Sequence, residues 1–524
     1  MNSTIVLVAF NDLDDVTWEY GNKFSIKYDT QSLQACKQKI LTDKSEYILF
    51  WDLKNKLPSR ADLKSTITSK GNLWHIGPKL GLDSLPRLLD EIQPTNMIHL
   101  NIDDSINHSS WKNTFKGCLL QRRVFEEISL SNYSNSLDVI GLDFGYKAIK
   151  SGVITRFSFQ LSTTVTKEKI DISKTDELYF IRNNFDAKAL IWCYLTNALK
   201  ISPFVFWKTI KNINKSVSTV FNHMFYKNVK IDDYSVSIVI ATLERYTVLE
   251  RELKELRLLN PAVNEIIIVD QTPKEKRDGT FLNQFKDLPI VYLETDKIGQ
   301  CSARNLGIKV AKSNFIWFLD DDMEEIPSNY LEKHLTVIHN LNADISCGIP
   351  DEIGTNYVDR SIPKIEISDG FPTNDVLVKK ELLIAVGGFD TKMDQKQSED
   401  QEIGLRLLKK GALSVKNNQL RIVHLRASRG GLRNHNVRKI TFSSSRNSIF
   451  QRRFLHHSEI YLNLKHFNKF NIRKLLLLNV RGTFIIRGNL LQKIAKVIIG
   501  VVLLPHTIYT LRRNVIKAKK IFIE

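Results

Sequence analysis

The sequence predicts an α/β protein: two tandem Rossmann-like modules with mostly parallel sheets, followed by a basic helical C-terminal region. Three observations lead there. Strand-like and helix-like runs alternate through the middle of the chain, the pattern of a parallel sheet covered by helices. Parts of the first half recur in the second at a nearly constant offset. The charge is concentrated at one end: from Gly431 to Glu524 there are 19 Lys and Arg against two acids, Glu459 and Glu524, which accounts for nearly all of the net +18.

The composition is that of a globular protein. Of 524 residues, 43% are hydrophobic and 25% charged. Such values exclude disorder, collagen and coiled coil as descriptions of the whole chain. At roughly 150 residues per domain, two or three compact units are expected. The five cysteines (Cys36, Cys118, Cys193, Cys301, Cys347) are odd in number and widely spread. They suggest neither a disulfide framework nor a metal cluster, and fit a reducing, cytosolic setting. The opening MNSTIVLVAFNDLDD has no basic n-region and reads as a first strand, not a signal peptide.

In chain order, residues 1–160 are expected to form the first module and 161–232 a helical, basic connector. The second module, 233–432, starts with the apolar run Val236–Ala241. A charged helix follows over Arg245–Leu258. Glu265–Asp270 and Pro289–Glu294 read as strands, Gln300–Lys312 as a helix, and Phe315–Leu319 as a buried strand. In such sheets ligands bind at the carboxyl ends of the strands, which singles out Thr242, Asp270 and Asp320–Asp322. The repeat aligns KSEYILFWD (Lys44–Asp52) with KSNFIWFLD (Lys312–Asp320), and DFGYKAIKSG (Asp143–Gly152) with EIGLRLLKKG (Glu402–Gly411). A third match pairs Tyr179–Phe185 with Ser443–Ile449. The last region, 433–524, has its longest apolar stretch at Val497–Leu511, too short to span a bilayer and interrupted by Pro505 and His506. With its flanking lysines and arginines, Asn489–Lys520 reads as an amphipathic segment for an anionic membrane surface, or as a basic helix packed on the protein's own core.

The chemistry centres on carboxylates. A buried strand delivers Asp320, Asp321 and Asp322 to its C-terminal edge. Two like charges about 4 Å apart repel by about 4 kcal/mol at an effective dielectric of about 20. A divalent cation with open positions would relieve that cost and would suit a diphosphate. A solvated acidic turn capping the next helix would show the same triplet. Further on, Glu399 and Asp400 open a helix, where the dipole favours the ionised form. At neutral pH such an aspartate can accept a proton. Helix capping is the alternative there.

These pieces occur in one order: Ser237–Thr242, Ile267–Asp270, GQCSARN (Gly299–Asn305), LDDD (Leu319–Asp322), GGFD (Gly387–Asp390) and Glu399-Asp400. That series resembles the motifs of family 2 glycosyltransferases with the GT-A fold, over roughly Tyr234 to Gly431. The resemblance implies transfer of a sugar, with inversion, from a nucleotide-diphosphate-sugar to an acceptor hydroxyl. By position it implies Asp270 at the nucleotide base with Thr242 and Arg245 in the same pocket, and Gly299 and Arg304 near the diphosphate. Asp320 and Asp322 would frame the D-x-D motif, with Asp322 the principal ligand of Mg²⁺ or Mn²⁺ and Asp321 near the ribose or the metal. Asp400 would be the base, beside Glu399. His424 matches a position of further metal or phosphate contact, though a lone His is often structural. Arg433 is a weaker phosphate candidate. The processive Q-x-x-R-W signature is absent, which implies one transfer per acceptor.

Two departures from the family pattern leave the base and sugar open: Ala241-Thr-Leu-Glu-Arg245 lacks the usual Pro and Asn, and Asp270 is followed by Gln271. At the repeat offset, Asp320-Asp-Asp322 becomes Asp52-Leu-Lys54, and Glu399-Asp400 becomes Ile140-Gly141. The first module is therefore expected to be a degenerate GT-A-like domain, kept for packing, acceptor binding or pairing. The expected partners are a nucleotide-sugar donor, a glycan or lipid-linked acceptor and an anionic membrane at the inner face of the cell, with a homo-oligomer left open. A sugar nucleotidyltransferase would need a glycine-rich loop after the first strand, which is absent here. A non-catalytic glycan- or anion-binding scaffold is countered by the intact acidic set. Nucleic acid is not expected as a partner, because no recognised motif accompanies the basic tail.

Overall fold

The computed structural model describes residues 4–10, 17–95, 100, 102–166, 170–211, 220–223, 234–353, 358–425 and 445–523. The first sheet contains β1 (Ile5–Phe10), β2 (Lys23–Ile26), β3 (Tyr47–Asp52), β4 (Leu73–His75), β5 (His108–Ser109), β6 (Gly117–Gln121) and β7 (Thr155–Phe157). Their order across the sheet is β2-β1-β3-β6-β4-β7-β5. β1 and β3 are buried along their whole length, so they read as continuous apolar runs instead of alternating ones. Helix α1 (Leu137–Ser151) ends at Gly152, whose φ of +99° closes the helix in the left-handed region. Downstream come α2 (Ala187–Thr196) and α3 (Pro203–Lys211) of the connector.

The second sheet is built from β8 (Val236–Thr242), α4 (Tyr246–Leu256), β9 (Glu265–Asp270), β10 (Ile290–Glu294), α5 (Gln300–Val310) and β11 (Phe315–Asp320). It continues through β12 (Met323–Glu324), β13 (Ile345–Cys347), β14 (Asp351–Glu352), β15 (Ile365–Ile367), β16 (Asp375–Lys379), α6 (Glu399–Lys409), β17 (Ser414–Asn417) and β18 (Val423–His424). The main sheet runs β10-β9-β8-β11-β16-β13-β17-β15, and β12-β18-β14 form a small separate sheet.

Apart from edge strand β10, the main sheet matches the first strand for strand. Replacing β9, β8, β11, β16, β13, β17 and β15 by β2, β1, β3, β6, β4, β7 and β5 reproduces the other order. Every corresponding pairing has the same direction, parallel or antiparallel. The two longer repeat matches fall on equivalent elements: β3 with β11, and α1 with α6, each helix closed by a left-handed glycine, Gly152 or Gly411. Of the third match, Tyr179–Asn184 lie in a helix, residues 443 and 444 are outside the described residues, Ser445 is helical and 446–449 are turn, bend or irregular.

The modules pack reciprocally. Gly152, at the end of α1, abuts the β15 backbone, where a Cβ would come within 2.4 Å of the Ile365 carbonyl oxygen. Gly411, at the end of α6, abuts the residue before β5, with a Cβ 2.5 Å from the Asn107 carbonyl oxygen. Arg156 donates to the Gly411 carbonyl at 2.8 Å, and Asp344 pairs with both Lys70 and Lys379. One apolar cluster runs through both modules, from Ile5 and Trp51 to Ile240 and Leu377. The C-terminal region is helical: α7 (Lys469–Gly482), α8 (Leu490–Val502) and α9 (Leu504–Ile523) follow a helix at His457–His466. It is tied to the second module through Asp390, which accepts from Tyr461 at 2.8 Å and Lys465 at 2.7 Å. The five cysteines are free thiols.

Candidate active site

Four element ends meet at the carboxyl edge of the second sheet. β8 ends at Thr242, β9 at Asp270, β11 at Asp320, and α6 begins at Glu399. β8 and β9 flank each other in parallel register, Thr242 opposite Asp270, and β11 lies on the other side of β8 with Asp320 opposite Ala241. The polar residues that follow apolar strands are therefore gathered by topology.

The acidic triplet splits into two roles. Asp321 turns inward, accepting from Thr242 Oγ1 at 2.8 Å and Arg245 Nη1 at 2.7 Å. Burial, with the neighbouring charge of Asp322, pushes its pKa up to about 6 against the pull of Arg245. Thr242 and Arg245, expected in a nucleotide pocket, are engaged in holding this loop. Asp320 and Asp322 converge instead with His424, and one ligand atom from each lies within 4.8 Å of the others. His424 Nε2 is 3.1 Å from Asp322 Oδ1. The small sheet brings His424 there, because β18 pairs Met323 of β12 on one side and Glu352 of β14 on the other. Glu352 comes within 3.8 Å of His424 Nδ1. Two hard carboxylates and an imidazole in a largely buried cluster suit a divalent ion such as Mg²⁺ or Mn²⁺. Among the described residues, the first module has no counterpart of this small sheet. Its equivalent edge is filled by Tyr28, which packs edge-on to Phe10 and lies 5.3 Å under the Lys116 ammonium.

Arg304 joins the triplet to the other carboxylate pair. It donates to Asp320 at 3.0 Å and to Glu399 at 3.4 Å. Burial and the charge of Asp400 raise the Glu399 pKa to about 7, opposed by Arg304. Asp400 lines a cavity of about 360 Å³ together with Asp369, Gly370, Gln397, Ser398 and Gln401. Ser398, just before α6, has a φ of +72°, a strained conformation of the kind that collects at functional sites.

The motifs that carry no charge at the site have architectural reasons. Asn305 and Phe389 exchange hydrogen bonds at 2.8 and 2.7 Å, locking GQCSARN to GGFD. A Cβ at Gly388 would lie 2.4 Å from Asn305 Oδ1, and its φ is +70°. Gly299 lets α5 begin against Asp394, whose carboxylate accepts from the backbone of Cys301 at 2.8 Å and Ser302 at 3.0 Å. Gln271, the departure after Asp270, accepts from the Gly299 backbone at 2.6 Å.

Asp270 itself is enclosed. Its carboxylate accepts from the hydroxyls of Tyr246 and Tyr292, at 2.6 and 2.5 Å, and from the Thr272 backbone at 2.8 Å. The two tyrosine hydroxyls cover the Asp270 carboxylate, which is 0% exposed. Sequence reasoning missed both, along with Asp394, Glu352 and Glu252. Glu252 is fully buried on α4, and burial plus the charges of Asp321 and Asp322 raise its pKa well above 4.5. Its one sequence signal is an acid on the apolar stripe Leu249, Leu253, Leu256. Gly430 to Arg433, with the candidate Arg433, lie outside the described residues.

Comparison with known proteins bears on the same region. The family described as Glycosyl transferase family 2 matches residues 237–390. An uncharacterized glycosyltransferase from Haemophilus influenzae is 29% identical over 191 residues, covering 33% of this chain. The chain spans 62% of that relative's length. Among solved structures, a mannosyltransferase from Pyrobaculum calidifontis in complex with GDP-Man and Mn²⁺ aligns with a TM-score of 0.35 and 13% identity, over 66% of this chain and 87% of that one. S. aureus TarS 1–349 in complex with UDP-GlcNAc aligns with a TM-score of 0.34 and 11% identity, over 50% and 70%.

Proposed function

Because residues 237–390 belong to glycosyltransferase family 2, we propose that this chain transfers a sugar from a nucleoside diphosphate to an acceptor hydroxyl, with metal dependence and inversion at the anomeric carbon. The observation that carries this reading is the convergence of Asp320, Asp322 and His424 at the sheet edge, with Arg304 linking them to the Glu399-Asp400 helix start.

In this reading the donor's diphosphate lies at the carboxyl edge of β8, β9 and β11. Asp320, Asp322 and His424 would hold Mg²⁺ or Mn²⁺, which when bound would neutralise charge growing on the departing diphosphate. Arg304, already paired with two carboxylates, would turn part of its fork to a phosphate oxygen. Asp400 takes the proton from the acceptor hydroxyl in the adjoining cavity. The hydroxyl oxygen bonds to the anomeric carbon on the face opposite the diphosphate, whose bond to that carbon breaks. Glu399 and Arg304 fix the position of the Asp400 segment. Asp270, Tyr246 and Tyr292 form the corner nearest the base.

The acceptor in this reading is a growing surface glycan on a lipid carrier, and the protein works peripherally at the inner face of the membrane. The exposed apolar and basic C-terminal helices support that placement. The first module, which keeps only Asp52 of the acidic triplet and among the described residues has no small sheet, serves packing, acceptor binding or pairing, not transfer. The test is release of nucleoside diphosphate from a panel of nucleotide-sugars, with Mn²⁺, with Mg²⁺ and with chelator. Metal-dependent release from one donor that Asp322→Ala abolishes is expected. Release from none of the panel, or release indifferent to chelator and to Asp322→Ala, would overturn the assignment.

A further inference from the structure

The C-terminal helices leave one face uncovered. On α8, Leu490, Leu491, Ile494, Val497, Ile498, Val501 and Val502 are all exposed, Leu491 to 76%. They fall three and four residues apart, so they form one stripe along the helix. The opposite side is fixed to the protein. Lys496 is buried and donates to the Ser448 carbonyl at 2.8 Å and the Gln451 carbonyl at 2.6 Å, while Gly500 packs against Phe484. The stripe is therefore not a core face that has come loose; the inward face is already satisfied. α9 adds exposed Ile508, Tyr509 and Ile516 among exposed Arg512, Arg513, Lys517, Lys519 and Lys520.

A second uncovered apolar surface lies in the connector. Ile191 and Leu195 on α2, Leu199 in the turn, and Phe204 on α3 are exposed, Phe204 to 71%, with exposed Lys200 and Lys208 nearby in the chain. α7 stands between the connector and α8. Arg481 of α7 lies 4.4 Å over the ring of Trp192 on α2. One turn earlier Leu477 is exposed, and just past the helix Ile485 is exposed before α8 begins.

We propose that α2–α3 and α8–α9 form a single bipartite docking surface for an anionic lipid bilayer, with both apolar parts entering the interface while the lysines and arginines meet the headgroups. The inference rests on the peripheral placement above and deepens it, because it assigns half of the attachment to the connector. Charge complementarity selects the occupant. The uncovered helices carry cations and, apart from terminal Glu524, no acid from Asn489 onward. A mixed apolar and cationic face of this kind matches acyl chains beneath anionic headgroups. A second copy of the same face would bring like charges together. No single described helix is long and apolar enough to cross a membrane; α8 and α9 pass that test only together, as a pair bent by 63°. The basic residues spread along α9 favour the interface over the bilayer interior for this pair.

The test is flotation of the full chain with phosphatidylcholine vesicles, with and without phosphatidylglycerol. Three proteins are compared: the parent, an α8 variant (Leu491→Glu, Ile498→Glu) and a connector variant (Leu195→Glu, Phe204→Glu). Circular dichroism and metal-dependent release of nucleoside diphosphate to water are followed alongside. The parent should float with anionic vesicles and less so as salt rises. Each variant should lose about tenfold or more in partitioning while keeping its fold and its donor turnover. Unchanged flotation of the connector variant, with loss in the α8 variant, would overturn the bipartite surface but leave peripheral placement intact. A parent that stays with the unbound fraction would overturn both. A concentration-dependent dimer in ultracentrifugation, abolished by either variant, would make a second copy the occupant and overturn the lipid assignment. Donor turnover read in the same samples keeps these failures distinct from failure of the catalytic assignment.

Discussion

At the scale of single residues, the site separates carboxylates by what surrounds them. Asp321 is spent on holding its loop to Thr242 and Arg245, while Asp320 and Asp322 remain together beside His424. Asp400 is the one of the later pair that opens on the cavity with Asp369 and Gln397. Asp400→Asn should lower kcat by about 10²- to 10⁴-fold with little change in donor KM, in steady-state kinetics on a saturating acceptor. Glu399 makes a second, independent test. Its folded pKa of about 7 lies above the ordinary 4.5, so the folded state retains a proton that the unfolded chain has released between those values. Stability linked to this carboxyl is complete below the lower value and declines as pH rises to the upper one. Glu399→Gln removes that decline. Its Tm relative to the parent should climb from about pH 4.5 to about pH 7 and then level off. A difference that stays flat across the interval would mean the buried charge carries no such cost. The acidic triplet and Asp400 were legible in the sequence because their order along the chain is distinctive. Tyr246, Tyr292 and Asp394 were not, because each gains its role from an element distant in sequence: both tyrosines from β9, Asp394 from the start of α5.

At the scale of elements, β8, β9 and β11 were plain in the sequence. Each is a continuous apolar run ending in a polar residue, as strands buried on both faces must be. The expected helices are slightly shorter than read: Arg245–Leu258 becomes Tyr246–Leu256, and Gln300–Lys312 becomes Gln300–Val310. The small sheet β12-β18-β14 could not have been read. Its strands are two residues each, with no alternation to detect, yet it is the device that brings His424 to Asp322. GQCSARN at the start of α5 and GGFD are tied through Asn305, which meets Gly388 and Phe389. Gly388→Ala must push a Cβ to 2.4 Å from Asn305 at a φ of +70°. It should cost about 1–3 kcal/mol in urea unfolding, and should raise donor KM as the Arg304 helix shifts. Asp394→Ala removes an acceptor shared by two α5 backbone N–H groups and should cost about 1–2 kcal/mol.

At the scale of the whole molecule, the two modules share one strand order but not one set of edge carboxylates: Asp320-Asp-Asp322 stands where the first module has Asp52-Leu-Lys54. The repeat was legible where apolar runs preserve it, at β3 and β11, and at the helix ends closed by Gly152 and Gly411. At Tyr179–Phe185 the matching segment begins outside the described residues. What no one-dimensional pattern carried was the reciprocity of the contact: α1 leans on β15 as α6 leans on β5, each through its terminal glycine. Contacts that answer one another in this way characterise two-fold assemblies of identical chains. Here a single polypeptide makes them. Arg156→Met would strip the Gly411 carbonyl of its buried donor, and should make the chain more open to limited proteolysis between modules without changing the metal-dependence of turnover.

The reciprocal packing of Gly152 and Gly411 implies that the covalent tether is dispensable for holding the halves together. Expressed as two polypeptides divided near residue 228, the pieces should find each other, co-purify and recover turnover that neither fragment has by itself. The silent half would then act as a permanently bound subunit that happens to be encoded in the same reading frame.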